Sequence, residues 1–160
     1  MKRISSLLTL LLISTFSIAQ SSLRIDQLVN GWHRFTADGI YYDVEVINGV
    51  LNTTGNIIWP DGARYSGTWS NNQITGLGTY TWANGDRYEG GFRNGQPNGH
   101  GTMYWKDGRK YAGKWKAGLR HGKGKQWDAD GNRTKGEWQD GKLVSVKDSQ
   151  SDQVAVKSKE

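Results

Sequence analysis

The sequence predicts an all-β fold: an elongated single antiparallel sheet of stacked β-hairpins, with an N-terminal signal peptide and a disordered C-terminal tail. Three observations predict the sheet. A motif of aromatic residues and glycines returns every 23 residues, many of the 22 glycines keep a fixed place in that period, and Asn-Gly or Asp-Gly dipeptides punctuate it. A repeat of this length is typical of an array whose small units bury a shared core by stacking.

The repeated motif is clearest between residues 65 and 144. A tyrosine, a glycine two residues later and an aromatic residue two further on begin successive units at Tyr65, Tyr88 and Tyr111. An altered copy begins at Thr134, where threonine replaces the tyrosine. Each complete unit continues with a Gly-x-Gly motif and then an Asn-Gly or Asp-Gly dipeptide, so several positions agree in three consecutive units.

These motifs, in this order and at this period, resemble the MORN (membrane occupation and recognition nexus) repeat family over about half of the chain, from Tyr65 to Val144. The resemblance implies an elongated, non-enzymatic array of β-hairpins. Such arrays are used for contact with lipid, for assembly, or as an appendage to a separate catalytic domain.

The first 19 residues are expected to form a signal peptide. Lys2 and Arg3 supply a positive start, residues 7–18 are mostly apolar, and Ser17 and Ala19 place small residues before a cleavage site. The alternative, a retained membrane anchor, needs about 20 apolar residues, and this run is shorter. We therefore expect an exported protein, periplasmic or extracellular, whose mature chain begins at Gln20.

The remaining chain divides into a cap, an array and a tail. Residues 20–38 are expected to form an N-terminal cap or half-repeat, with either helical turns or a strand between residues 23 and 29. Residues 39–144 form the array, with a weak unit near 42–64, units near 65–87, 88–110 and 111–133, and a half-unit at 134–144. Residues 145–160 are polar and of mixed charge, which is typical of a disordered tail.

Side chains alternate between the two faces of a strand, and this alternation predicts the buried face. Glycine beside an aromatic residue lets the ring approach the backbone closely, and the burial gained outweighs the cost of glycine in a strand. The expected core is therefore Tyr65, Gly67, Trp69, Gly76, Gly78, Tyr80, Trp82, Tyr88, Gly90, Phe92, Gly99, Gly101, Trp105, Tyr111, Gly113, Trp115, Gly122, Gly124, Gly136 and Trp138.

Two sets of dipeptides are expected to form two-residue hairpin turns, because Asn-Gly and Asp-Gly tolerate positive φ at both central positions. One set is Asp38-Gly39, Asp61-Gly62, Asn84-Gly85, Asp107-Gly108 and Asp130-Gly131. The other is Asn48-Gly49, Asn94-Gly95 and Asp140-Gly141, with Asn71-Asn72 and Ala117-Gly118 as variants.

Positive charge concentrates towards the C-terminal units. Without Lys2 and Arg3, the 21 basic residues fall to 19 against 15 acidic ones, so their distribution matters more than their sum. The candidate contact with an anionic surface is Lys110, Lys114, Lys116, Arg120, Lys123 and Lys125. The alternative is that these lysines only keep an open sheet soluble and unpaired.

Two aromatic residues, Tyr104 and Trp127, fall on the face opposite the expected core and could form a platform for a sugar ring. Trp127 lies one residue before Asp128, the position at which the period predicts a core tryptophan. The alternative is therefore that Trp127 is that core tryptophan, displaced by a local bulge.

No catalytic set is predicted. His33, His100 and His121 lack the spacing of a metal site, and the chain has no cysteine for a mixed zinc site or a disulfide. The sequence therefore predicts a non-enzymatic binding or scaffolding module without metal or cofactor. Its expected partner is an anionic lipid surface or a protein, with a cell-envelope polysaccharide as the alternative and a hydrolase less favoured. We expect no nucleic-acid partner, and an array with open ends could self-associate.

Overall fold

The computed structural model of the protein describes residues 25–150. Eleven strands form one antiparallel sheet, and their order in the sheet is their order in the chain, which confirms the predicted stack of hairpins. The strands are β1 (Gly31–Ala37), β2 (Ile40–Ile47), β3 (Val50–Ile58), β4 (Arg64–Ser70), β5 (Gln73–Thr81), β6 (Arg87–Arg93), β7 (Gln96–Tyr104), β8 (Lys110–Lys116), β9 (Leu119–Trp127), β10 (Arg133–Gln139) and β11 (Lys142–Gln150). The expected signal peptide lies outside the described residues.

The segment before β1 forms a single 3-10 turn over Ile25–Gln27. Ile25 and Leu28 pack against the core, and a Cβ added to Gly49 would lie 3.1 Å from the Cα of Asp26. This turn therefore lies over the connection between β2 and β3. The sheet itself begins at Gly31, inside the segment that the sequence assigned to a cap or half-repeat.

The connections between strands are of two kinds, and the prediction of two-residue turns was wrong for four of them. Six hairpins have positive φ at both central residues, as at Asn94 (φ 49°) and Gly95 (φ 71°). The other four connections span residues 59–63, 82–86, 105–109 and 128–132, and the dipeptide lies inside them. In the first, the amide of Gly62 donates to the carbonyl of Trp59 at 2.9 Å, and only Gly62 has positive φ.

Each complete repeat is organised around its tyrosine. The hydroxyl group of Tyr65 donates to the carbonyl of Thr68 at 3.0 Å, and its ring lies over Gly67 and Gly78, which face each other on β4 and β5. A Cβ added to Gly78 would lie 2.6 Å from the tyrosine ring. The glycines therefore provide the space that the ring occupies, and Tyr88 and Tyr111 lie over their own glycine pairs in the same way.

The first glycine of each Gly-x-Gly motif has a different role from the one predicted. Gly76 has φ of 62° and lies beside the register shift between β4 and β5, close to Thr68 and away from any ring. Gly99 and Gly122 have φ of 84° and 60°. These three glycines allow the positive φ that the backbone adopts at a bulge, where an L side chain is strained. They do not provide the space for a ring of the aromatic core.

Seven rings form a continuous file through the core. Their centroids lie 5.0–5.5 Å apart and their planes are nearly perpendicular, the favoured edge-to-face arrangement. Each unit shares a ring contact with the next, so the core continues across unit boundaries. In order, the file is Trp69, Tyr65, Phe92, Tyr88, Trp115, Tyr111 and Trp138.

The remaining expected core residues are placed in two ways. Tyr80 is buried, whereas Trp82 and Trp105 are only partly buried because they begin the five-residue connections after β5 and β7. Sequence analysis missed several small or aliphatic core residues, which continue the buried face between the rings. Those buried in the structure include Val44, Val46, Leu51, Ile57, Ile74, Pro97 and Met103.

The predicted tail is wrong over residues 145–150, because β11 extends to Gln150 and pairs with β10. Backbone pairing explains this strand, since few of its side chains are large and apolar. Gly136 on β10 allows the close approach, because a Cβ there would lie 2.7 Å from the Leu143 side chain. Residues 151–160 lie outside the described part of the chain.

Candidate functional site

The outer face of β8, β9 and β10 carries basic side chains on all three strands. Tyr111 and Trp115 of β8 are buried, so the alternating residues Lys110 and Lys114 project from the opposite side of the sheet. The same alternation applies on β9 and β10, where Gly136 and Trp138 face the core. We call this set the cationic face; its members are Lys110, Lys114, Lys123, Lys125, Arg133 and Lys135.

Two lysines of the cationic face lie directly opposite each other. The pairing of β9 with β10 places Lys125 opposite Lys135, and both side chains are exposed. Like charges at directly opposed positions destabilise a sheet. Neither lysine forms an ion pair with a carboxylate among the side chains described between residues 25 and 148.

Acidic residues compensate only one side of the cationic face. Arg133 pairs with Asp148 at 3.1 Å, and Glu137 accepts a hydrogen bond from Lys147 at 2.9 Å. The hydrogen bond from Lys147, with the charges of Lys147 and Lys123, lowers the pKa of the Glu137 carboxyl. Glu137 therefore stays ionised beside Lys123, whereas Lys110 and Lys114 form no ion pair with a carboxylate in the part of the chain that the structure describes.

Two residues of the predicted anionic contact lie elsewhere. Lys116 is exposed on the outer face at the end of β8, where it is opposite Leu119 of β9 and not opposite another basic residue. Arg120 is opposite Trp115 on the core side, where it donates to the carbonyl of Gly141 at 2.8 Å and to Gln126 at 2.5 Å. Burial lowers the pKa of the Arg120 guanidinium. Its assignment to the anionic contact was therefore wrong, because the side chain is used inside the fold.

The 23-residue period contains the signal that would have placed Arg120 correctly. Arg120 occupies the position that Ile74 and Pro97 have in the two preceding units. Both of those residues are buried, Ile74 opposite Trp69 and Pro97 opposite Phe92. Gln126 likewise occupies the position of Tyr80 and Met103. The last complete unit thus has Arg120 and Gln126 at two core positions, and these two side chains hydrogen-bond to each other.

Tyr104 and Trp127 lie on the outer face, and the alternative of a bulge at Trp127 is wrong. No register shift occurs near Trp127, which is opposite Lys110 on one side and Arg133 on the other. The core position at Asp128 is occupied by a loop residue, whose carboxylate accepts from the amide of Asn132 at 2.8 Å. Both rings are partly buried.

A basic group lies over each of these two rings. The guanidinium carbon of Arg87 is 4.4 Å from the centroid of Tyr104, and the ammonium nitrogen of Lys110 is 3.9 Å from the centroid of Trp127. Cation–π attraction is significant at these distances. The predicted platform and the predicted basic surface are therefore parts of one surface.

The described residues offer little for metal binding or acid–base chemistry. Within residues 25–150, no three His, Asp or Glu side chains come close enough together to hold a metal ion.

Burial raises the pKa of the Tyr65, Tyr80 and Tyr88 hydroxyl groups, and that of Tyr111 to about 12, so these phenols stay neutral. Residues 25–150 contain no helix of the length and apolarity that a membrane span requires.

A comparison of the sequence with known protein families finds the same repeat units that are seen in the sheet. The family model described as MORN repeat matches residues 65–87, 88–108 and 111–133, the three units with a tyrosine over paired glycines. No curated protein matches the chain at a significant level. MORN repeats are consistent with a non-enzymatic binding or scaffold module. The 23-residue units between Tyr65 and Arg133 are three MORN repeats.

Proposed function

We propose that the protein is an exported, non-enzymatic binding module that holds an anionic surface, such as anionic lipid or an acidic protein, against its cationic face. The observation that carries the proposal is the direct opposition of Lys125 and Lys135, neither of which forms an ion pair within the described residues, since Asp148 opposite Lys135 pairs with Arg133 instead. A pair of like charges costs stability in the free protein. An anion that contacts both ammonium groups would remove that cost.

The position of the cationic face supports the proposal further. Its basic groups lie on three neighbouring strands that are about 4.8 Å apart, so several of them can meet one surface together. Each well-placed lysine contributes about 1 kcal/mol to attraction by an anionic surface. The aromatic core on the other side of the sheet is filled by its own rings and is not needed for this contact.

Vesicle sedimentation tests the proposal. We expect the protein to bind vesicles of anionic phospholipid at low salt, not to bind neutral vesicles, and to lose most binding at high salt because the charges are screened. Replacing Lys125→Gln together with Lys135→Gln should weaken binding about 10- to 50-fold, since two contributions of about 1 kcal/mol are lost.

A matched pair of variants separates position from net charge. Lys106→Gln with Lys142→Gln removes the same charge from two exposed lysines outside the cationic face. This pair should bind almost as tightly as the native protein. Equal losses in both pairs, or binding that is indifferent to salt, would show that the cationic face is not the site.

Export requires a separate measurement, since it depends on residues 1–19. We expect expression of the full chain in a secreting host to yield a processed protein outside the cytoplasm. Intact mass spectrometry should give the mass of a chain that begins at Gln20. A full-length chain recovered with the membrane fraction would instead support the retained anchor.

A further inference from the structure

The most specific feature of the outer face is a row of side chains that crosses three strands. Tyr104 on β7 is opposite Lys110 on β8, and Lys110 is opposite Trp127 on β9. Arg87 on β6 and Arg133 on β10 extend the row, since each is opposite one of the rings. Bases and rings therefore alternate across five strands, over about 19 Å at the usual strand spacing.

The central lysine of this row lies over an aromatic ring and has an unneutralised charge. Arg87 pairs with Glu89 and Arg133 pairs with Asp148, so the outer bases have acidic partners. Lys110 forms no ion pair with any carboxylate in the described part of the chain, and its ammonium group lies over Trp127. A ring attracts the ammonium group without cancelling its charge. Lys110 is thus available to an anion that approaches from solvent.

The two rings add a second kind of recognition. Tyr104 and Trp127 are two strands apart, about 9.6 Å, with Lys110 between them. Partly exposed aromatic rings stack well on ligands that have both an apolar face and polar groups. A pyranose ring is such a ligand. In an extended glycan chain, the length of one sugar residue is close to the distance between neighbouring strands, about 4.8 Å.

From this geometry we propose that the outer face binds a linear acidic polysaccharide that crosses the strands along the row from Arg87 to Arg133. The proposal rests on the anionic partner inferred above and identifies its chemical class. Sugar rings replace the basic groups of Arg87 and Lys110 on the faces of Tyr104 and Trp127, and the displaced Lys110 ammonium group pairs with a carboxylate of the chain. Lys125 and Lys135, in the neighbouring row of the same strands, meet a further carboxylate.

The geometry favours an acidic glycan over the other partners of this face. A flat lipid surface needs exposed charge but gains little from two rings set in a row of bases. A neutral glycan would use the rings but would leave Lys110 and the opposed lysines without a partner. An acidic glycan uses both, because it alternates apolar sugar faces with carboxylates.

Isothermal titration with defined oligosaccharides tests the proposal. The probes are an oligomer of galacturonic acid, its methyl ester, which has the same chain without the charge, and a polyphosphate of similar charge, which has no sugar ring. We expect the acid to bind more tightly than both the ester and the polyphosphate. Trp127→Ala and Tyr104→Ala should each weaken binding of the acid about tenfold, and Lys110→Gln should weaken binding of the acid but not of the ester.

Two further variants serve as controls. Trp32→Ala removes a ring that is 57% exposed on the same side of the sheet at its other end, and it should leave binding unchanged. Trp127→Tyr retains an aromatic surface and should retain most of the binding. Far-ultraviolet circular dichroism of each variant shows whether the sheet is retained, and Tyr104→Ala carries the test if Trp127→Ala fails to fold.

The outcomes separate this inference from the proposed function. Binding of acid and polyphosphate with equal affinity, unaffected by the ring variants, would overturn the glycan and leave the anionic partner standing. Vesicle binding, or binding of single-stranded oligothymidylate, that depends on the rings more strongly than glycan binding does would also overturn the glycan. Absence of binding to every polyanion would overturn both.

Discussion

At the scale of single residues, a tyrosine and two glycines define the repeat. The hydroxyl groups of Tyr65, Tyr88 and Tyr111 donate to the carbonyl three residues ahead at 3.0–3.2 Å, which fixes the bulge that follows. Any side chain at the paired glycines would occupy the space of the ring. This arrangement explains why glycine and tyrosine keep a constant spacing in all three MORN repeats.

The ring of Trp115 connects the tyrosines of two successive repeats. It meets Tyr88 and Tyr111 edge to face at 5.2 and 5.3 Å, and its indole nitrogen donates to the carbonyl of Gly101 at 3.1 Å. Trp115→Ala should therefore lower the free energy of unfolding by about 3–5 kcal/mol, the usual cost of truncating a buried aromatic residue. Urea unfolding followed by circular dichroism measures this change.

Trp32→Ala is the matched control for that variant. It removes an indole of the same size from an exposed position on β1, so it should change the unfolding free energy by less than about 0.5 kcal/mol. If both tryptophan variants unfolded at the same urea concentration, the file of rings would not be the core that holds the sheet together.

The placement of most aromatic side chains followed from alternation along the strands, whereas that of Arg120 did not. Tyr65, Trp69, Tyr88, Phe92, Tyr111, Trp115 and Trp138 are all buried, on the face that alternation predicts. Residue type argued against placing a guanidinium in the core. Hydrogen bonds to Gln126 and to the Gly141 carbonyl satisfy Arg120 there, and Gly141 becomes its neighbour only when the turn between β10 and β11 lies beside β9.

At the scale of the strands and turns, one dipeptide serves two kinds of connection. Asp38-Gly39 forms a two-residue turn, whereas Asp61-Gly62 lies inside a five-residue connection. The difference comes from the hydrogen bonds around the dipeptide, such as that from the amide of Trp59 to the carbonyl of Ala63 at 2.9 Å. Asp-Gly is compatible with both, so the sequence predicted the position of each turn and not its length.

The last strand, β11, is the element that the amino-acid composition predicted least well. Residues 145–150 lack the apolar alternation typical of a strand, but they pair with β10 through residue 150. Ion pairs add to the backbone pairing, from Arg133 to Asp148 and from Lys147 to Glu137. A polar edge strand of this kind is easily mistaken for a disordered tail, because its partner and not its own side chains determines its structure.

Truncation tests the role of β11. A chain that ends at Val144 loses five of the seven paired positions between β10 and β11 and both ion pairs, so its unfolding free energy should fall by about 1–3 kcal/mol. Thermal and urea unfolding of the purified proteins measure the difference. A chain that ends at Gln150 retains the strand and should match the full-length protein within about 0.5 kcal/mol. Equal stability of the two truncated chains would show that residues 145–150 contribute nothing to the fold.

At the scale of the whole molecule, one sheet presents two faces of different character. One face is filled by the file of rings, and the other carries bases that concentrate on β8, β9 and β10. The sequence predicted both the single sheet and the direction in which positive charge increases. It did not predict that rings and bases alternate along one row, because that row depends on the exact register between five consecutive strands, which the sequence pattern left open.

The order of the strands has a consequence for how the protein acquires its structure. Each strand pairs only with the strands immediately before and after it in the chain. Contacts between near neighbours in sequence form rapidly, since little chain entropy is lost in closing the intervening loop. A nascent polypeptide with this architecture can add one hairpin at a time as it emerges from a ribosome or a translocation channel, and no early segment has to await a late one.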